Sequence, residues 1–131
     1  MDYKIRKFNK GDINKLIHIY VEEYKNRDVN INEDILRIRF QSMIERTPDY
    51  CFASINENDE LIGAILCFFE KHYIRHTLVI DNLIIHKNYR NLGIARLLMQ
   101  KVIDLSKTNQ LKHVMLLADT TQEFPRGCSA G

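Results

Sequence analysis

Residues 77–98, TLVIDNLIIHKNYRNLGIARLL, restrict the chain more than any other stretch. Thr77 to Ile85 is an apolar run of strand length, interrupted only by Asp81-Asn82. It passes through a short polar turn with one glycine, Gly93, straight into a helical pattern. That helix is predicted from about Leu92 to Ser106, with Ile94, Leu97, Leu98, Val102 and Leu105 inward. Thr108-Asn109-Gln110 breaks the pattern, and Lys112 to Leu117 reads as a short last strand. A strand, a helix and a strand in succession form a crossover, which requires a parallel pair and a right-handed connection.

The earlier part of the chain supplies the rest of such a sheet. Tyr3 to Phe8 alternates weakly and is predicted as a first strand. Asp12, a candidate N-cap, precedes a helical stripe of Ile13, Leu16, Ile17, Tyr20, Val21 and Tyr24. Asn26 to Asn32 reads as a polar loop. A second helix carries Leu36, Phe40, Met43 and Ile44 on one face and stops before Pro48. From Tyr50 the period changes. Tyr50 to Ile55 and Leu61 to Phe69 read as a hairpin around the polar turn 56–60, and Lys71 to His76 as the next connection. The predicted order is therefore strand, helix, helix, hairpin, strand, helix, strand: an α/β fold with a mixed sheet and helices on its faces. One domain of 131 residues accommodates it, with a strand and two helices in 1–49, the sheet in 50–117 and an irregular tail in 118–131.

Composition narrows the class of function. Lys and Arg number 19 against 17 Asp and Glu, a net charge of +2, so a general nucleic-acid binder is not expected. No apolar run approaches the roughly 18 residues of a membrane span, and the first residues lack the apolar stretch of a secretory signal. Three widely spaced cysteines, Cys51, Cys67 and Cys128, form neither a disulfide framework nor a zinc knuckle and suit a reducing, cytoplasmic setting.

The chemistry is expected where the strand meets the helix after residue 77. A helix start leaves backbone N–H groups unpaired, and its dipole favours an anion, phosphate above all. Gly93 and the small Ala95 allow close approach, and Arg90 and Arg96 flank the turn. Neither G-x-G-x-x-G nor G-x-x-x-x-G-K-S/T is present.

Residues 82–95, NLIIHKNYRNLGIA, resemble the acetyl-coenzyme A motif of the GNAT superfamily of N-acetyltransferases, Gln/Arg-x-x-Gly-x-Gly/Ala after an apolar strand. Arg90, Gly93 and Ala95 fill its three defined places, with Tyr89 before it and Leu97-Leu98 after it. The order of elements over residues 1–117 also matches that family. The resemblance implies a GNAT-like fold and acetyl-coenzyme A as co-substrate. It implies that Leu83, Ile84 and Ile85 lend backbone groups to the pantetheine arm. The turn Arg90, Asn91, Leu92, Gly93, Ile94, Ala95 and Arg96 would hold the pyrophosphate. The last strand would splay from the preceding one to make room. The implied reaction is direct attack of a primary amine, on a small molecule or a protein, on the thioester in a ternary complex.

Asp81 is the candidate base, because a carboxylate inside an apolar strand needs a reason; a bulge that satisfies the same carboxylate locally is the other reading. Asn82 either orients the acceptor or belongs to that bulge. His86 is a candidate relay or a surface residue. His72 and His76 lack further ligands at metal spacing. Tyr20, Tyr24, Phe68 and Phe69 line either a pocket or the core, and Cys51 and Cys67 read as core.

The sequence departs from the family after Leu117. The family continues with a helix whose Tyr protonates the leaving thiolate, whereas here Pro125 follows Phe124 and no Tyr occurs. The expectation is a C-terminally shortened member, with an exposed sheet edge that favours a homodimer. Cys128 is a candidate substitute acid. The alternative reading is an acetyl-coenzyme A-binding module of little or no activity that works through association.

Overall fold

In the computed structural model, residues 3–25, 27–71, 76–111 and 113–117 are described. Five strands form one sheet: β1 (Tyr3–Lys7), β2 (Phe52–Asn56), β3 (Leu61–Lys71), β4 (His76–Ile85) and β5 (His113–Leu116). Their spatial order is β1-β2-β3-β4-β5. The first three pairings are antiparallel and β4 with β5 is parallel, as the crossover demands.

Helices α1 (Ile13–Tyr24) and α2 (Glu33–Arg46) separate β1 from β2, and α3 (Ile94–Thr108) joins β4 to β5. The apolar stripe of α1 buries Leu16, Ile17 and Tyr20 with Phe40 and Met43 of α2 against Ala64, Leu66 and Ile84 of the sheet. On the opposite face α3 buries Ile94, Leu98 and Val102 against Ile65, Cys67, Leu78, Ile80, Leu83 and Ile85. Successive strand residues thus enter different cores, which is why β3 and β4 are apolar without alternation. Leu97, expected inside, is 46% exposed: the buried stripe of α3 runs through Ile94, Ala95, Leu98, Met99 and Val102, and Leu97 stands beside it.

Two boundaries and one cap differ from expectation for physical reasons. Pro48–Tyr50 is a 3-10 turn, so β2 begins at Phe52 rather than Tyr50. Gly93 is left-handed, so α3 begins at Ile94 rather than Leu92. Asp12 does precede α1, but its side chain does not cap that helix. The carboxylate turns back to accept from Asn9 N at 2.9 Å and from both Nη atoms of Arg6, at 2.7 and 2.9 Å. The α2 cap, Asn32 Oδ1 accepting from Ile35 N, follows the usual pattern. The tail 118–131, with Phe124, Pro125 and Cys128, lies outside the described residues.

Candidate active site

Two features of β4 shape the site. The first is a bulge. Cys67 pairs with Ile80 and Leu66 with Asn82, so Asp81 is the extra residue. Ile80 and Leu83 both belong to the α3 core. Asp81 and Asn82, between them, both reach the α1/α2 face, where Asn82 Oδ1 accepts from Tyr20 Oη (2.5 Å). Asn82 Nδ2 donates to Asp81 Oδ2 (2.6 Å). Arg39 of α2 grips the same carboxylate with Nε on Oδ2 (3.0 Å) and Nη2 on Oδ1 (2.6 Å). The Asp81 side chain is only 8% exposed, while that of Arg39 is 52% exposed. The Asp81 carboxylate raises the pKa of the guanidinium through the hydrogen bond above all. The bulge is thus present, but the carboxylate is held by a guanidinium from 42 residues away and by the Asn82 side chain rather than by local backbone.

The second feature is an open edge. β5 pairs with β4 only from Thr77 to Ile80, and Leu117 N still donates to Ile80 O at 3.1 Å. Among the described residues, β4 has no neighbour on that side from Asp81 to Ile85. His86 N donates toward β3, to Ile62 O, whereas Ile85 O accepts from Arg90 Nε on the open side at 3.1 Å. By strand alternation Leu83 directs its N–H and C=O the same way as Ile85, and Ile84 directs its own toward β3.

At the end of this edge lies the turn 90–93. Asn91 and Gly93 are both left-handed, with φ of 64° and 82°. The first bond into the helix runs from Leu97 N to Gly93 O, so the N–H groups of Ile94 and Ala95, in the turn before it, have no acceptor within α3. A Cβ placed on Gly93 would meet nothing within 4 Å, so the turn is open above that residue. Open strand edge and helix start adjoin. Their geometry fits a ligand with an extended amide arm and a phosphate group.

The turn is fastened on several sides. Tyr3 Oη donates to Leu92 O at 3.2 Å, and Tyr89 Oη accepts from Asn56 Nδ2 at 3.2 Å. Arg90 places Nη2 on Glu23 Oε2 of α1, a short contact of 2.5 Å with Glu23 only 10% exposed. Arg90 thereby braces the turn within the fold. His86 accepts from Asn88 N through Nδ1 and caps the 3-10 turn Lys87–Tyr89. Burial first, and then Lys87, Arg90 and His18, lower its pKa.

Of the aromatic candidates, Tyr20 joins the polar chain and stacks on Tyr24 at 6.2 Å between centroids. Phe68 packs in the α1/α2 core, and Phe69 lies edge-on to Tyr50, which belongs to the α3 core. Sequence reasoning missed Arg39, Glu23 and Tyr3 as parts of the site. Only the rule that a buried carboxylate needs a partner pointed toward Arg39. Among the described residues, no cluster of three His, Cys, Asp or Glu side chains is placed to hold a metal, and no helix is long and apolar enough to cross a membrane.

Residues 13–125 match the model of the acetyltransferase (GNAT) family. The chain belongs to this family. Among curated proteins it is similar to N-alpha-acetyltransferase 30 of Schizosaccharomyces pombe, 28% identical over 97 residues, 72% of this chain and 63% of that relative. The chain thus spans less than two thirds of that relative's length. Among solved structures it resembles the NatC complex bound to Gag peptide and CoA (TM-score 0.69, 16% identity, 88% of this chain and 74% of that one). It also resembles glucosamine-6-phosphate N-acetyltransferase from Arabidopsis thaliana (TM-score 0.67, 16% identity, 92% and 84%). At these identities the structural likenesses show the GNAT fold, and the family match gives the class, acetyltransferase.

Proposed function

We propose that this chain binds acetyl-coenzyme A along the open edge of β4 and transfers the acetyl group to a primary amine. One observation supports the reading: among the described residues β4 has no neighbour beyond Ile80 on its β5 side, and this edge leads to the N–H groups of Ile94 and Ala95, which α3 itself leaves without an acceptor. Backbone groups of Leu83 and Ile85 would receive the pantetheine arm as an added strand, with Ile84 between them facing β3. The N–H groups of Ile94, Ala95 and Arg96, with Asn91, Leu92 and Gly93 shaping the turn, would hold the pyrophosphate. Arg90 holds that turn in place through Ile85 O and Glu23.

Acetyl-coenzyme A supplies the acyl group. As the amine nitrogen bonds to the acyl carbon, the carbon–sulfur bond breaks, and the thiolate takes a proton from solvent or a nearby acid. The chain's own contribution is twofold. Open-edge N–H groups, Leu83 first among them, face the thioester oxygen where negative charge develops. Asp81, on the face opposite α3, takes the proton that the acceptor ammonium must lose. A second reading, a cofactor-binding module with little turnover, is favoured by the occupation of both Asp81 oxygens by Arg39.

Calorimetric titration with acetyl-coenzyme A, followed by mass spectrometry of an amine panel, tests the proposal. The expected result is micromolar binding, about −8 kcal/mol, together with acetylated product. Asp81→Asn should then lower turnover by about 100-fold and leave the Kd for acetyl-coenzyme A unchanged. Binding without transfer to any amine selects the second reading, and a folded protein that does not bind overturns both.

A further inference from the structure

We infer that the acceptor carries an anionic group, a carboxylate or a phosphate, a few bonds from its reacting amine, and that Arg39 selects for it. The inference rests on the proposed role of Asp81 as proton acceptor and names the substrate class of that same site.

The starting point is the carboxylate. At 8% exposure Asp81 is a charge held nearly out of water, and both its oxygens are bonded by the Arg39 guanidinium. Its third bond, from Asn82 Nδ2, comes from a side chain itself engaged with Tyr20. An acceptor ammonium that gives its proton to Asp81 must come within hydrogen-bond reach of the same oxygens. Three of the carboxylate's roughly four acceptor positions are filled, and the one left on Oδ1 adjoins the Arg39 bond, so the ammonium either crowds the guanidinium or displaces it. Two cations cannot share the carboxylate cheaply, since they would stand a few ångströms apart beside a side chain that is only 8% exposed.

A neutral-tailed amine makes this exchange at a loss. It gains Asp81, but Arg39 gives up a bidentate partner and keeps an unpaired charge. An amine with a nearby anion completes the exchange. Its ammonium goes to Asp81 and its anion goes to the planar guanidinium, which suits carboxylate and phosphate alike. Arg39 is placed for this role. It stands on helix α2, and its side chain is half exposed while the carboxylate it holds is nearly buried, so the guanidinium is within reach of an anion from solvent. The pair that neutralises Asp81 in the free protein thereby becomes the filter for what displaces it.

The test compares acceptors that differ only in the anion. Phosphoethanolamine against ethanolamine reads a small-molecule source. A peptide beginning Ala-Glu against one beginning Ala-Gln reads a protein N-terminus. With the intact protein and saturating acetyl-coenzyme A, the anionic member of at least one pair should have a kcat/KM about 10- to 100-fold higher. The pair that responds identifies the source. Arg39→Gln should abolish that preference by raising KM for the anionic acceptor, with KM for acetyl-coenzyme A unchanged, and Arg39→Lys should restore part of it. Equal rates within both pairs overturn the inference, as does an Arg39→Gln variant that slows both members equally. If acetyl-coenzyme A binds but no amine is acetylated, the transfer reaction and this inference fail together. If transfer occurs without charge preference, only the inference fails.

Discussion

Gly93 holds a φ of 82° at the entrance to α3, where a side chain would have ample room but the wrong backbone. The requirement for glycine is therefore conformational first, and clearance for a phosphate comes second. Gly93→Val should lose about 1–2 kcal/mol of stability to the left-handed backbone. Its affinity for acetyl-coenzyme A should fall further than that strain accounts for, because the branched side chain stands over the anion seat. Thermal unfolding and calorimetric titration of the same variant separate the two effects. The sequence marks this residue as the lone glycine between an apolar strand and a helix, and its left-handed conformation is what such a turn requires. Arg39 and Glu23 carry no such mark. Each meets its partner, Asp81 or Arg90, across 42 or 67 residues of chain, and no local spacing announces such a pair. Asp81 itself stood out as a carboxylate in an apolar strand, but the identity of its partner depended on how α2 crosses the sheet.

At the level of elements, periodicity located each strand and α-helix among the described residues, while the three 3-10 turns went unread and the errors gathered at element ends. They arose where a 3-10 turn or a left-handed residue replaced the regular backbone, as at Pro48–Tyr50 and Gly93. The bulge in β4 was suggested only by the two polar residues Asp81-Asn82. Its effect, two successive side chains on one face, cannot be read from a period of two. The junction of β1 with α1 is another place where side chains override a simple cap. Asp12 is 1% exposed and tied to Arg6 and Asn9. Burial pushes its pKa up, but the Arg6 hydrogen bonds, the Asn9 N–H and nearby positive charge outweigh burial and leave it below the ordinary carboxylate range. A carboxylate whose pKa is lowered in the folded state stabilises the fold above the unfolded value, about pH 4. That stabilisation fades as pH falls through the lower folded value. Asp12→Asn should therefore cost about 2–3 kcal/mol at neutral pH. It should also flatten the loss of stability below about pH 4, as urea midpoints across a pH series would reveal.

Across the whole molecule, helices on both faces bury the middle of the sheet, and the two described cysteines lie there. Burial pushes the Cys51 thiol up to about 11, and burial followed by the neighbouring Cys51 and Asp81 pushes Cys67 well above the ordinary thiol value. Both should resist Ellman's reagent at pH 8 in the native protein and react once denaturant is added, which a reaction time course would record. The turn at residues 90–93 belongs to this scale as well. Its shape depends on Tyr3 and Glu23 from the start of the chain, on Asn56 through Tyr89, and on the end of β4. These contacts close loops of up to 89 residues, each of which costs more chain entropy than a local contact. A chain with α3 formed but β1 not yet docked would possess the helix start without the fixed turn before it. On the proposed reading, affinity for acetyl-coenzyme A would accordingly gauge long-range assembly: the ligand would select molecules in which the first strand has found its place.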